Sequence, residues 1–340
     1  MRILYFTGIL FFLLSAVSCS NAPTQVGEYR GFYYWKTNFS LSDSLRQSLN
    51  NLEVGHLYIK HFDVTWDEGG KQAIPVALFN LVDTLPGNLR VTPVVFVTLE
   101  ALKKTAVDQI PELAVKMGDL LKKLTRSYAS HLSEEVQIDC DWTGQTREAY
   151  FTLLKELQKH SFFQSRTLSV TIRLHQVKYI NEAGIPPADR GLLMCYNMGN
   201  LRDPTAKNSI IDPATFKSYT GRLNDYPLPL DFALPLFDWW VWFRNQQYYG
   251  LVHAGNLPGE LANGRTTYLQ EDTLINGYQF LPGDWLRHEN SPVASIEKIS
   301  ESLPERFRSG KSKLILYHLD SASLSNYTIH ELQDIYRRFD

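Results

Sequence analysis

Cysteine is scarce in this chain: Cys19, Cys140 and Cys195 are the only three in 340 residues. None has the closely spaced Cys or His partners that a structural metal site uses, so no metal centre is expected. An exported chain could pair Cys140 with Cys195. They fall on non-neighbouring expected strands and face outward, so free, buried thiols are expected instead. Neither sign of charge dominates. The formal net charge is -2 with no basic stripe or polybasic tail, which removes the electrostatic basis for nucleic-acid binding. No glycine-rich phosphate turn follows the first expected strand, which weakens a doubly wound dinucleotide fold. Internal repeats and low-complexity segments are absent, and no cofactor is expected. The apolar run from Ile3 to Leu14 is too short to span a bilayer.

That run has another reading. Arg2 supplies a positive start, the apolar stretch follows, and Ser15-Ala16-Val17-Ser18 leads into Cys19. Residues 1–18 therefore read as a signal peptide. A cysteine directly after small residues resembles a bacterial lipobox, although Ala16 stands where leucine is commoner. The resemblance implies cleavage before Cys19, lipid on its thiol and an exported lipoprotein anchored to a membrane of the cell envelope. The alternative is an ordinary secretory signal with Cys19 incidental. Residues 19–27 read as a tether and 28–340 as the folded part.

The folded part alternates strands with helical stretches. Gly31 to Phe39 reads as the first strand, with Ser42 capping the helix behind it. His56 to Trp66 is the second strand. Pro75 to Leu81 is an extra strand or an irregular insertion. Val91 to Thr98 is a near-continuous β-branched run, which suits a parallel strand buried on both faces. A helix is expected over residues 108–131, with Pro111 in its first turn. Val136 to Thr143 alternates strictly and is the fourth strand. Its helix runs from Thr146, with Tyr150, Leu153, Leu154 and Leu157 on one face. Leu168 to His175 alternates as cleanly and is the fifth. Leu192 to Met198, Asp231 to Trp239 and Lys313 to Asp320 are the sixth, seventh and eighth. Ile329 to Phe339 closes the chain as a helix. Residues 245–311 keep no steady period and are too long for a connector, so they read as an inserted subdomain after the seventh strand. Eight strands alternating with helices imply a (β/α)8 TIM barrel, with an open doubly wound sheet as runner-up.

In such a barrel the apolar set of each alternating strand faces the helices and the polar set faces the interior and mouth. The fourth strand then presents Asp139, Asp141 and Thr143 inward, and the fifth presents Arg173 and His175. An Arg173 pair with one aspartate leaves the other poised, and Asp141, nearer the mouth, is the leading acid/base with Asp139 in support. Tyr196 and Asn197 add hydrogen-bonding groups from the sixth strand. Asp63 and Asp238 are the candidate second carboxylates. Trp35, with Tyr34, Trp66, Trp142 and Trp239, offers stacking surface. His61, His318 and Asp320 read as satisfied polar groups.

Ile138-Asp139-Cys140-Asp141-Trp142 resembles the fourth-strand motif of family 18 glycoside hydrolases, the chitinase-like barrels. Met194-Cys195-Tyr196-Asn197 resembles the family's sixth-strand motif, and Ala233-Leu234-Pro235-Leu236-Phe237 its seventh strand. The chain also resembles a group of bacterial lipoproteins built on this barrel. The resemblance implies a saccharide partner and a catalytic glutamate just after the tryptophan. Thr143 stands there instead, and Val136 stands where the motif has its first acid. A threonine hydroxyl cannot act as a general acid near neutral pH. Three functional expectations follow: a glycoside hydrolase-like barrel acting on an envelope glycan, a barrel that binds glycan without cleaving it, and an envelope protein that holds a partner through the insertion.

Overall fold

The computed structural model describes residues 26–253, 266–308 and 312–339. The expected signal peptide, Cys19 and most of the tether lie outside the described residues. Among the described residues no helix is long and apolar enough to cross a membrane.

Eight parallel strands close into a barrel. In chain order they are Arg30–Tyr34, His56–Asp67, Arg90–Val97, Glu135–Asp139, Thr167–Arg173, Arg190–Met194, Leu230–Pro235 and Leu314–Tyr317. Each pairs with its neighbour in chain order. The first closes the ring, with Gly31 opposite His56 on one side and Ile315 on the other. The fold is the expected (β/α)8 barrel. Alternation sorts its two faces. Val136 and Ile138 are fully buried toward the helices, where the Tyr150 hydroxyl donates to the Ile138 carbonyl. Gln137 points inward and accepts from the Tyr33 hydroxyl of the first strand.

Several helices have the expected ends. Ser42 caps Asp43–Asn51 by accepting from the Leu45 N–H, and the last helix spans Ile329–Phe339. The helix expected over residues 108–131 is shorter, Ile110–Leu124. Beyond it Tyr128 leaves helical geometry at φ -134°, ψ 36°. The second strand turns back as an antiparallel strand, Gln72–Val76, where most barrel strands lead into a helix. It also carries a register shift between Lys60 and Phe62. The extra residue turns His61 out of the barrel and brings Lys60 and Asp63 to one side.

The insertion begins earlier than residue 245. A four-stranded antiparallel sheet contains Trp239–Arg244, Gln247–His253, Thr266–Tyr268 and Trp285–Glu289. Trp240 and Trp242 pack with Val252 and Leu286 on one face, while Val241 and Phe243 meet Trp285 on the other. The seventh strand, expected to run to Trp239, stops at Pro235, and Trp239 opens the inserted sheet instead. Val293–Ser302, expected inside the insertion, is a barrel helix; its Glu297 pairs with Arg338 of the last helix at 3.0 Å.

Cys140 and Cys195 are free, buried thiols, and burial pushes both up.

Candidate functional site

A cavity of about 690 Å³ opens at the C-terminal ends of the barrel strands, the end at which barrel sites are built. Trp35 enters from the first strand's exit, Asp139 and Asp141 from the fourth, and Arg173 from the fifth. Tyr196 and Asn197 follow the sixth strand, and Phe237, Asp238 and Trp239 follow the seventh. Tyr317, His318 and Asp320 come from the eighth, and His253 from the inserted sheet.

The acid expected to stay poised, Asp141, is the one that Arg173 takes. Arg173 holds Asp141, not Asp139, in a two-point grip: its Nε donates to Oδ1 and its Nη2 to Oδ2 at 2.7 Å. Asp139 instead accepts from the Thr171 hydroxyl at 2.6 Å. Register is the reason. Ile138 lies beside Val170, so one step on Asp139 is level with Thr171, and Asp141 is level with Arg173. Asp139 is 4% exposed, and burial raises its carboxyl to about 6. The Thr171 hydrogen bond opposes that rise, the Asp141 charge adds to it, and Arg173 opposes it. Burial works against the Arg173 charge, but the bonds to Asp141 outweigh it and hold the guanidinium above its usual range.

Six expected members do not line the cavity: His175, Thr143, Asp63, Tyr34, Trp66 and Trp142. His175 is exposed on the short helix Leu174–Lys178, because the fifth strand ends at Arg173 and its alternation stops there. Thr143 is exposed in the turn before the Arg147–Lys159 helix, where its N–H donates to the Thr146 hydroxyl at 2.9 Å. Asp63 sits behind the wall, paired with Lys60 at 2.9 Å. His61 faces the helix layer, bonded to the Ile59 carbonyl and the Tyr128 hydroxyl, and burial lowers it to about 4. Trp142 is fully buried, stacked on Tyr150 at 5.1 Å, and offers no platform.

Trp35 and Trp239 do line the cavity. The sequence reading missed Phe237, Tyr317 and His253. Leu314-Ile315-Leu316-Tyr317 has no polar member to reveal which face turns inward. Tyr317 is the hub of the wall. Its ring lies 5.9 Å from Trp35, 5.4 Å from Tyr196 and 5.7 Å from Phe237. Among the described residues the Tyr196 hydroxyl is buried without a hydrogen-bond partner, as is His318 Nδ1. Unpartnered polar atoms are rare in a folded interior, and in a cavity wall they are groups a guest can satisfy. Burial raises the Tyr196 hydroxyl further and lowers His318.

Other wall groups are braced from behind. The Trp239 indole N–H donates to buried Glu289 at 2.9 Å, and Arg287 bonds the same carboxylate at 2.8 Å. Asp238 bonds His288 at 2.9 Å. Asp320 pairs with Lys36 at 2.7 Å; burial would raise its carboxyl, but Lys36 and the Ala322 N–H together hold it below its usual value. Asn197 takes φ +53°, a left-handed conformation that asparagine tolerates, as its chain leaves the sixth strand. Among the described residues no three His, Cys, Asp or Glu side chains are grouped to hold a metal ion.

No protein-family model matches the chain, and no curated protein matches it. Solved structures do. The C-terminal domain of a putative chitinase from Desulfitobacterium hafniense superposes with a TM-score of 0.56 at 11% identity, covering 91% of this chain and 99% of that one. A chitinase from Bacteroides thetaiotaomicron gives 0.55 at 12%, covering 91% and 96%. The Bacillus cereus spore cortex-lytic enzyme SleL gives 0.51 at 13%, covering 92% and 74%. At these identities the likeness is one of fold alone, the (β/α)8 barrel.

Proposed function

We propose that the chain is a saccharide-binding barrel of the bacterial cell envelope, exported and held to a membrane by lipid on Cys19. One observation carries the saccharide reading. Trp35, Tyr196, Phe237, Trp239 and Tyr317 face carboxylates across a single open cavity. The apolar faces of sugar rings stack on aromatic side chains, and sugar hydroxyls donate to carboxylates. The chitinases of similar fold support the same ligand class. Arg2, the apolar run and Ser15-Ala16-Val17-Ser18-Cys19 support the anchor and the likeness to lipoprotein barrels of this type.

Binding without cleavage by the chitinase route is the reading the site supports best. Thr143, which stands at the glutamate position of the resemblance, does not line the cavity, and Asp141 is neutralised by Arg173. A second reading rests on Asp139. A carboxyl near 6 retains a proton at mildly acidic pH and can serve as the general acid of a hydrolysis, with Asp238 as the second carboxylate. Purified full-length chain incubated with a glycan panel separates the two. Binding by calorimetry without released sugar supports the first. Release that Asp139→Asn abolishes establishes the second. Hydrolysis gained by Thr143→Glu would mark a site that lost its acid. No binding to any member of the panel would overturn the saccharide reading.

A further inference from the structure

The cavity carboxylates divide by what already neutralises them. Asp141 has Arg173 and Asp320 has Lys36, while Asp238 bonds the His288 ring at 2.9 Å. Asp63, just behind the wall, has Lys60. Asp139 is different: its bonded partner is the uncharged Thr171 hydroxyl, and the nearest guanidinium, Arg173, is spent on Asp141. A buried carboxylate without a cation is unfavourable unless something charged completes it. Beside it lies a second incomplete group. The Tyr196 hydroxyl, in a residue 4% exposed, lines the same cavity and has no partner among the described residues. In the same wall the Tyr196 and Tyr317 rings stand 5.4 Å apart. An acid without a counter-charge, a hydroxyl with free lone pairs and aromatic faces together make an ammonium site, since ring faces attract cations and a carboxylate pairs with them.

We infer that the saccharide taken by this pocket carries a free, protonated amino group, seated against Asp139, Tyr196 and the Tyr317 ring. The inference rests on the saccharide reading and names its ligand class: an unacylated amino sugar. A neutral sugar hydroxyl could also donate to Asp139, but it gains neither the charge pairing nor the attraction of the rings. An anionic sugar acid meets repulsion. The preference is local, because the whole chain carries a net charge of only -2.

The test is calorimetric titration of the full chain with three probes: a β-1,4-linked glucosamine tetramer, its fully N-acetylated counterpart and a galacturonic acid tetramer. The amine tetramer is expected to bind about tenfold tighter than the acetylated one at low salt, with the gap narrowing as salt rises. The acid tetramer is expected not to bind. Asp139→Asn should bring the amine-to-acetyl affinity ratio to about one, and Tyr196→Phe should lower it about threefold. Should Asp139→Asn fail to fold, Tyr196→Phe carries the test alone. Equal or tighter binding of the acetylated tetramer, or a ratio that neither substitution moves, overturns the inference and leaves the saccharide reading standing. A saccharide without an amine that binds more tightly than the amine tetramer does the same. No binding by any saccharide overturns both.

Discussion

The two ends of the barrel interior carry buried charge in opposite ways. At the N-terminal end, Glu135 and Asp231 face Lys313 and Arg190, two acids with two bases. Lys313 Nζ lies 2.7 Å from Glu135, and the Lys313 backbone N–H donates to Asp231 at 2.6 Å. Tyr58 adds its hydroxyl to Glu135 at 3.1 Å. Burial alone would raise Glu135, but Lys313 outweighs it and holds the carboxyl below its ordinary value. At the C-terminal end the match fails. Asp139 is buried and raised to about 6, Tyr196 is unpartnered among the described residues, and a cavity stands over both. Burial raises Asp231 to about 6 as well, but Asp231 is paired with Arg190, whereas Asp139 is bonded to a hydroxyl and faces the cavity. That difference, more than the number of acids, separates a structural cluster from a binding site.

The largest test of the comparison is Lys313→Met. It leaves Glu135 buried without its cation and should cost about 3 kcal/mol or more in denaturant unfolding, with saccharide affinity unmoved. A loss below about 1 kcal/mol would break the contrast between the two ends.

Asp139→Asn comes next, and its effect depends on pH. The folded carboxyl near 6 lies above the ordinary 3.8, so between these values the folded chain binds more protons than the unfolded one. The stability linked to this group is full below the unfolded value and is lost as pH rises through the folded one. Asparagine removes that slope. The variant should therefore gain on the parent by on the order of 2–3 kcal/mol between about pH 4 and 7. His56 and His61, each lowered by burial to about 4, give the opposite slope over much of this window. They destabilise the fold as pH falls below the ordinary histidine value, so the difference curve is the one to read. A flat difference curve would remove Asp139 from its special place.

Arg173→Met is expected to cost less stability than Lys313→Met, about 1 kcal/mol. The Asp141 side chain it frees is 40% exposed and can hydrate, whereas the side chain of Glu135 is 6% exposed. Its larger effect is on binding: Asp141 becomes a second carboxylate without its guanidinium, so affinity for the amine tetramer should rise about threefold and its lead over the acetylated one widen, read by the same titration. A stability loss equal to that of Lys313→Met would show the mouth to be a structural cluster too. His175→Ala sharpens the boundary of the site. Exposed on its short helix, it should change stability by less than about 0.5 kcal/mol and leave affinity alone.

Much of this was legible beforehand because alternation is a local property. The polar sets of the fourth and fifth strands placed Asp139 and Arg173 inside the barrel, and the aromatic and aspartate residues after the seventh strand placed Trp239 and Asp238 at its mouth. The errors share a cause. Reading the alternation past Arg173 put His175 in the site, and reading it past Asp139 put Thr143 there, although both strands had ended. The bulge at His61 left no mark in the pattern. Tyr317, in a wholly apolar strand, was invisible for the same lack of contrast.

The chain by itself determined the barrel and the parity of its side chains, since a two-residue period is written in consecutive residues. Which aspartate Arg173 would take was decided only in the folded molecule. That choice follows from the offset between two strands 32 residues apart, an offset set by cross-strand hydrogen bonds and packing across the barrel. It turned Asp141 into a held ion pair and left Asp139 as the buried acid that a ligand must complete.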